Sequence, residues 1–112
     1  MAKYERLVHG NFKEIIAQLN EDILNNGLSM NLVDESNYEK ETTKIAVRVY
    51  DKYFMRNGNR ASLSVTAFGS DDEIFITAIG AGGGSGVIFN FSLGAESELT
   101  DVVADSITRM GL

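Results

Sequence analysis

The segment Arg56-Asn57-Gly58-Asn59 most constrains the fold, because it stands between two stretches of alternating hydrophobicity. Asparagine followed by glycine tolerates the positive φ angles that a type I′ turn demands. Residues 43–55 before it and 60–68 after it are rich in β-branched and aromatic side chains, which favour strands. The sequence therefore predicts a β-hairpin, and with it a fold built on antiparallel strands.

Alternation assigns the residues of these two strands to two faces of the sheet. The aliphatic side, expected to face the core, comprises Ile45, Val47, Val49, Ala61, Leu63, Val65 and Ala67. The other side, expected to be the outer face, comprises Lys44, Arg48, Tyr50, Lys52, Phe54, Ser62, Ser64, Thr66 and Phe68. We therefore expect cations and aromatic rings to lie side by side on the outer face.

Two amphipathic helices are predicted, one on each side of the strand-rich region. Asn11 and Glu14 resemble a capping box, and apolar residues follow at helical spacing, which predicts a helix over residues 12–25. The second helix is predicted in the last segment, where an apolar stripe runs from Leu99 to Met110.

The remaining segments are shorter or more polar. Residues 4–9 are a possible first strand, and residues 28–32 alternate as a half-buried strand does. The polar residues 34–43 are expected to form a loop or the wet end of a hairpin. Residues 74–79 are apolar on both faces, which indicates a strand inside the sheet. Residues 87–93 alternate again and are predicted to be a further strand.

This order of elements predicts one α+β domain over residues 1–112. We expect a two-layer sandwich, in which two helices cover one face of a twisted antiparallel sheet of about five to six strands. The order resembles the helix-grip and TATA-box-binding-protein half-domain arrangements. That likeness concerns topology and carries little functional weight.

Composition excludes several functional classes. With no cysteine and one histidine, the chain offers no disulfide, no zinc–thiolate site and no multi-histidine metal site. The cysteine-free composition and the absence of an apolar targeting segment at the start suit the cytoplasm. Residues 74–95 are uncharged and long enough for a bilayer span, but their central glycine run disfavours a helix. No metal, cofactor or membrane is expected.

The net charge of −6 hides a segregation. Residues 40–60 contain six cations and two anions, a sum of +4, so the other 91 residues sum to −10. The acidic whole argues against nucleic acid, and no nucleic-acid recognition motif is present. The basic hairpin confines any anionic partner to one region, and it also allows the acidic remainder of a second copy to meet it.

The candidate ligand- or partner-binding residues are Lys44, Arg48, Tyr50, Lys52, Phe54 and Phe68. Three interpretations of this set stay open. It is the wet face of an antiparallel sheet, a homodimer or partner interface, or a site for an anionic ligand. We expect a homodimer that uses the outer sheet face.

A glycine-rich segment over residues 80–86 follows the apolar strand, and its candidate functional residues are Gly82, Gly83, Gly84 and Ser85. It lacks the lysine and the following helix of a phosphate-binding loop. It is either a flexible connection or a cap over a pocket. If the segment caps a pocket, the protein is a carrier that holds a small anionic or apolar ligand in a pocket between the sheet and the helices.

An enzyme is the least favoured class. His9, Asp51 and the hydroxyls of the central strands are the plausible parts, and no spacing arranges them as an acid–base pair. No catalytic residue is assigned. Asp51 stands on the aliphatic side of its strand, which indicates an edge position, a bulge or pairing with a nearby cation.

Three motifs carry a resemblance to a known family. Gly82-Gly83-Gly84-Ser85-Gly86, Phe89-Asn90-Phe91 and Gly94-Ala95-Glu96 resemble a family of small uncharacterised bacterial proteins, a domain of unknown function. The likeness extends over the whole chain and implies a small cytosolic bacterial protein. The resemblance supplies neither an activity nor a functional residue. From the residues themselves, we expect a small binding or interaction module.

Overall fold

The computed structural model describes residues 2–26, 29–54, 58–82 and 90–112. Its elements are β1 (Ala2–His9), α1 (Phe12–Leu24), β2 (Asn31–Lys40), β3 (Thr43–Phe54), β4 (Asn59–Ser70), β5 (Glu73–Gly82) and α2 (Asn90–Arg109). The strands form one antiparallel sheet in the order β1-β5-β4-β3-β2. The predicted α+β sandwich is confirmed, and β5 lies inside the sheet as its two apolar faces indicated.

The predicted capping residue begins α1. The side chain of Asn11 accepts a hydrogen bond of 3.0 Å from the backbone N–H of Glu14, which satisfies one of the free donors of the first turn. The helix ends at Leu24, and the backbone N–H of Asn25 donates to the carbonyl of Glu21. The helix predicted over residues 12–25 is therefore confirmed to within one residue.

Two of the hairpins close with two-residue turns that contain a left-handed residue. Glu41 has a φ of 55° between β2 and β3, and Asp71 has a φ of 57° between β4 and β5. Such angles match the right-handed twist of the flanking strands. Between β3 and β4, Gly58 has a φ of 71°, while residues 55–57 of the predicted turn lie outside the described residues.

For residues 34–43, the wet end of a hairpin is confirmed, and the alternative of a loop is wrong. Strand β2 runs through most of this segment, and every side chain of β2 is exposed. Since β2 has one neighbour, β3, and lies at the edge of the sheet, backbone hydrogen bonds hold it while its side chains bury little area. Its sequence therefore shows no hydrophobic alternation. The strand predicted from residue 28 begins at Asn31 instead.

The strand predicted over residues 87–93 is also wrong where the structure describes it. Helix α2 begins at Asn90 and contains residues 90–93, and residues 87–89 lie outside the described residues. Alternation over so few residues does not distinguish a strand from a helical turn. The apolar stripe predicted for this helix is confirmed, because Leu99 and Ile107 are fully buried.

The core lies between the sheet and the helices. The sheet side supplies small and medium residues of β3, β4 and β5, namely Ala46, Ala61, Leu63, Val65, Ala67, Ile74, Ile76 and Ala78. Between the helices, the buried hydroxyl of Ser106 donates a 2.7 Å hydrogen bond to Asp22. This bond lowers the pKa of Asp22, and Arg109 at 3.7 Å acts in the same direction. Neither helix, over its described residues, has the length and hydropathy needed to cross a membrane.

Gly69 of β4 makes a close approach possible. A Cβ atom built at this position would lie 2.5 Å from Cδ2 of Phe12, so the ring of Phe12 at the start of α1 rests almost directly on the backbone of β4. We expect Gly69→Ala to lower the free energy of unfolding by about 1–3 kcal/mol through overpacking. Urea denaturation measures this change.

Phe12→Leu in the same chain supplies the matched control, because it removes the ring that a Cβ at position 69 would strike. We expect Gly69→Ala to cost much less in the Phe12→Leu background. Without the clash, alanine for glycine stabilises a strand by about 0.4–1 kcal/mol through the unfolded chain. A gain in stability for Gly69→Ala alone would contradict the close packing.

Candidate functional site

The register between β3 and β4 overturns the predicted assignment of faces on β3. Arg48 pairs with Val65 and Tyr50 pairs with Leu63. Cross-strand partners lie on the same face of a sheet, and Val65 and Leu63 are buried beneath the helices. Arg48 and Tyr50 therefore lie on the helix-covered face, with Lys44 and Lys52. The aliphatic residues Ile45, Val47 and Val49, expected in the core, lie on the opposite, open face.

The prediction grouped even-numbered residues of both strands on one face. In the observed register every pair joins an even-numbered residue to an odd-numbered one, as Ile45 with Phe68 and Ala46 with Ala67. Phe68 is thus on the open face, as predicted, but apart from the cations. Hydrophobicity alone misassigned the faces of β3, because both faces of this strand carry apolar residues. On the buried face these are Ala46 and the larger Tyr50.

A groove of about 410 Å³ runs between α1 and the β2–β3 hairpin on the helix-covered side. Its lining consists of Phe12, Lys13, Ile16, Ala17, Asn20, Asn37, Tyr38, Glu39, Lys44, Ile45 and Arg48. Two of the predicted binding residues, Lys44 and Arg48, are therefore brought together in it. The residues of α1 that line the groove form one continuous side of the helix. The apolar periodicity had indicated only the neighbouring side, which faces the core.

Arg48 is the most buried cation of the groove, with 13% of its side chain exposed. Its Nε atom lies 3.1 Å from Oε1 of Glu35, and Nη1 donates to the carbonyl of Val47 at 3.0 Å. A longer bond of 3.4 Å joins Nη1 to the carbonyl of Ser36. Within the described ranges, Nη2 donates to no acceptor. The guanidinium is thus held in place with donors to spare.

The other predicted binding residues lie in different places. Lys44 faces the groove opposite Glu39, and Lys52 lies farther along the same face, opposite Ala61. The side chain of Phe54 lies outside what the structure describes. Of the predicted glycine loop, Gly82 ends β5, and residues 83–85 lie outside the described residues.

Tyr50, buried on the helix-covered face of β3, is bound to a residue that lines the groove. Its hydroxyl donates a 2.6 Å hydrogen bond to Oδ1 of Asn20 on α1. Burial raises the pKa of Tyr50 to about 12, against a smaller opposing effect of Arg48. The phenol therefore remains a neutral donor through the physiological range and joins α1 to β3. Sequence reasoning placed Tyr50 on a solvent-facing surface and missed this role.

We expect Tyr50→Phe to lower the free energy of unfolding by about 1 kcal/mol at neutral pH, the value of one hydrogen bond. Because the pKa of Tyr50 is raised in the folded state, this phenol ionises first in the unfolded chain, from about pH 10. The free energy of unfolding therefore falls as the pH rises from there toward the folded-state pKa. Wild type should lose this contribution between about pH 10 and 12, whereas Tyr50→Phe should not.

Urea denaturation over that pH range measures the difference, and spectrophotometric titration shows whether a tyrosine step near pH 12 disappears in the variant. Tyr53→Phe is the matched control, because Tyr53 lies on an exposed part of β3. Loss of the high-pH step in Tyr53→Phe rather than in Tyr50→Phe would contradict the assignment.

The open face of the sheet carries a continuous apolar row. Strand pairing places Leu7, Phe75, Phe68, Ile45 and Tyr38 next to one another, one residue from each of the five strands. Phe68 is 47% exposed and Phe75 is 39% exposed, although both lie at the centre of the sheet. This set is called the apolar row below.

Polar groups surround the apolar row rather than interrupt it. The next row toward the other end of the sheet contains Glu5, Thr77, Thr66, Val47 and Ser36, and the hydroxyl of Thr77 donates to Glu5 at 3.2 Å. The row after that ends on Lys3 in β1 and Asp34 in β2. In these three rows the charges thus lie on the two edge strands.

The proposed catalytic parts do not meet. His9 on β1 lies 3.9 Å from Glu73, and both side chains are exposed. Asp51 on β3 pairs with Arg60 at 2.9 Å, so its predicted pairing with a nearby cation is confirmed. Three strand spacings separate β1 from β3, which is about 14 Å. No cluster of three or more metal-ligating side chains occurs in the described part of the chain.

Comparison with known proteins identifies a family. The sequence profile of DUF6054, a family of unknown function, matches residues 1–111, so the chain belongs to this family. The resemblance to an uncharacterised domain family is thereby confirmed. No curated protein matches the chain. No solved structure matches it either.

Proposed function

We propose that this protein is a small cytosolic bacterial interaction module that forms a homodimer through the open face of its sheet. The observation that carries the proposal is the apolar row, which crosses all five strands and remains exposed at its centre. Monomeric proteins rarely expose a contiguous apolar patch of this kind without using it for binding.

The size of the open face suits a dimer. Five strands about 4.8 Å apart and about ten residues long make a surface of roughly 24 by 33 Å, or about 800 Å². That is about the area that each partner contributes to a standard protein–protein interface. Two such faces can stack about 10 Å apart, as the sheets of a β-sandwich do.

The distribution of charge favours a second copy of this chain as the occupant. The centre of the face is aromatic and aliphatic, while Lys3 and Glu5 lie at its β1 edge, 3.9 Å apart. A two-fold axis through the centre would place apolar row against apolar row and leave these charges at the rim. A partner of strongly basic or acidic character would find no complementary charge there.

Cytosolic location rests on composition. The chain has no cysteine, which suits a reducing compartment. The bacterial source rests on the resemblance carried by the glycine-rich motifs. Both belong to the proposal, together with the dimer.

Phe75→Lys tests the interface, because it places a charge in the middle of the apolar row. We expect wild type to have twice the mass of one chain by size-exclusion chromatography with light scattering. The variant should have the mass of one chain, because burying an unpaired ammonium costs far more than the ring contributes. Far-ultraviolet circular dichroism checks that the variant remains folded.

Thr108→Lys is the matched control, because it adds the same charge at an exposed position of α2 in the helix layer. It should leave the mass at two chains. A monomeric wild type would overturn the proposal, as would a Phe75→Lys variant that is folded and still dimeric.

A further inference from the structure

We infer that the groove between α1 and the β2–β3 hairpin binds a small organic carboxylate with a flat apolar body. The groove lies mainly on the helix-covered side of the sheet, and it shares Tyr38 and Ile45 with the β2–β3 end of the apolar row. Its cations and the side of α1 that lines it take no part in the proposed dimer interface. Its volume of about 410 Å³ falls within the usual range of small-molecule sites.

Cationic donors face the groove from both of its walls. Lys13 comes from α1 and Lys44 from β3, and neither forms an ion pair within the ranges that the structure describes. Arg48 also lines the groove in a nearly buried position, where Nε pairs with Glu35 and Nη2 is still able to donate. A nearly buried guanidinium with an unused donor beside an open cavity is suited to a carboxylate oxygen.

The apolar part of the lining would contact the body of the ligand. Phe12, Ile16 and Ala17 form one side of α1 along the groove. Phe12 is fixed against Gly69, so its ring presents a defined surface. An aromatic or planar aliphatic group fits against such a surface, whereas a fully hydrated inorganic ion gains nothing from it.

Two further groups define the expected selectivity. Oδ1 of Asn20 already accepts from Tyr50, so its amide nitrogen remains as a donor toward the groove, with no acceptor among the described residues. Glu39 faces Lys44 across the hairpin and adds one negative charge to the lining. A monoanion is therefore favoured over a dianion such as inorganic phosphate, because Glu39 repels additional negative charge.

Nuclear magnetic resonance titration of the ¹⁵N-labelled full chain tests the inference with three probes. Indole-3-acetate carries the carboxylate and a flat body, indole-3-acetamide is its neutral counterpart, and inorganic phosphate has no apolar body. We expect saturable amide shifts with indole-3-acetate, concentrated on residues 12–20 and 44–48. The amide should bind about tenfold more weakly or worse, since one charge-assisted hydrogen bond is lost.

Lys44→Gln removes one cation from a half-buried position without touching Arg48. It should weaken indole-3-acetate binding several-fold, and Lys44→Arg should restore most of it. Lys3→Gln makes the same change of charge on the open face and should leave the affinity unaltered. Phe75→Lys should likewise leave it unaltered, which separates a failure of this inference from a failure of the proposed dimer.

Four results with the wild-type chain would overturn the inference. These are the absence of saturable shifts up to millimolar indole-3-acetate, equal affinity for the acid and the amide, shifts centred on Phe68 and Phe75, and phosphate binding as tight as that of the organic acid. Full retention of affinity in Lys44→Gln would show that Lys44 does not contribute to binding, and it would likewise overturn the inference.

Discussion

The close approach of two helices to one face of the sheet is the constraint on which the rest of this structure depends. That approach requires small side chains beneath the helices, and β3, β4 and β5 supply them at Ala46, Ala67, Gly69 and Ala78. At Gly69 the ring of Phe12 comes so near that a methyl group would overlap it. Larger side chains of the same covered face, among them Leu63, Ile74 and Ile76, complete the core.

Both candidate surfaces follow from this arrangement. The open face acquires an apolar row because the bulky residues opposite the small ones point outward, as Phe68 does beside Gly69. The groove exists because β2 and β3 form the side of the sheet next to α1, where Lys44 and Arg48 stand opposite Lys13. The hydrogen bond from buried Tyr50 to Asn20 joins β3 to the side of α1 that lines the groove.

Much of the fold could be predicted from local patterns. The Asn11 cap, the apolar spacing of α1 and the alternation of β4 each depend on interactions within a few residues, and each is confirmed. The full extent of strand β2 could not be predicted, because an edge strand held by backbone hydrogen bonds needs no apolar side chains. The first turn of α2 was mistaken for the end of a strand, because the short alternation over residues 87–93 does not distinguish a strand from the start of a helix.

The sequence by itself determined the class of fold, the position of the first helix and the concentration of positive charge in residues 40–60, since each depends on neighbours along the chain. Only the tertiary structure decided which face of β3 is covered, because a shift of one residue in pairing exchanges the faces of an entire strand. The observed register places Arg48 beside Val65 under the helix layer and Ile45 beside Phe68 on the open face. It thereby separates the cations from the aromatic residues that sequence reasoning had joined in one site.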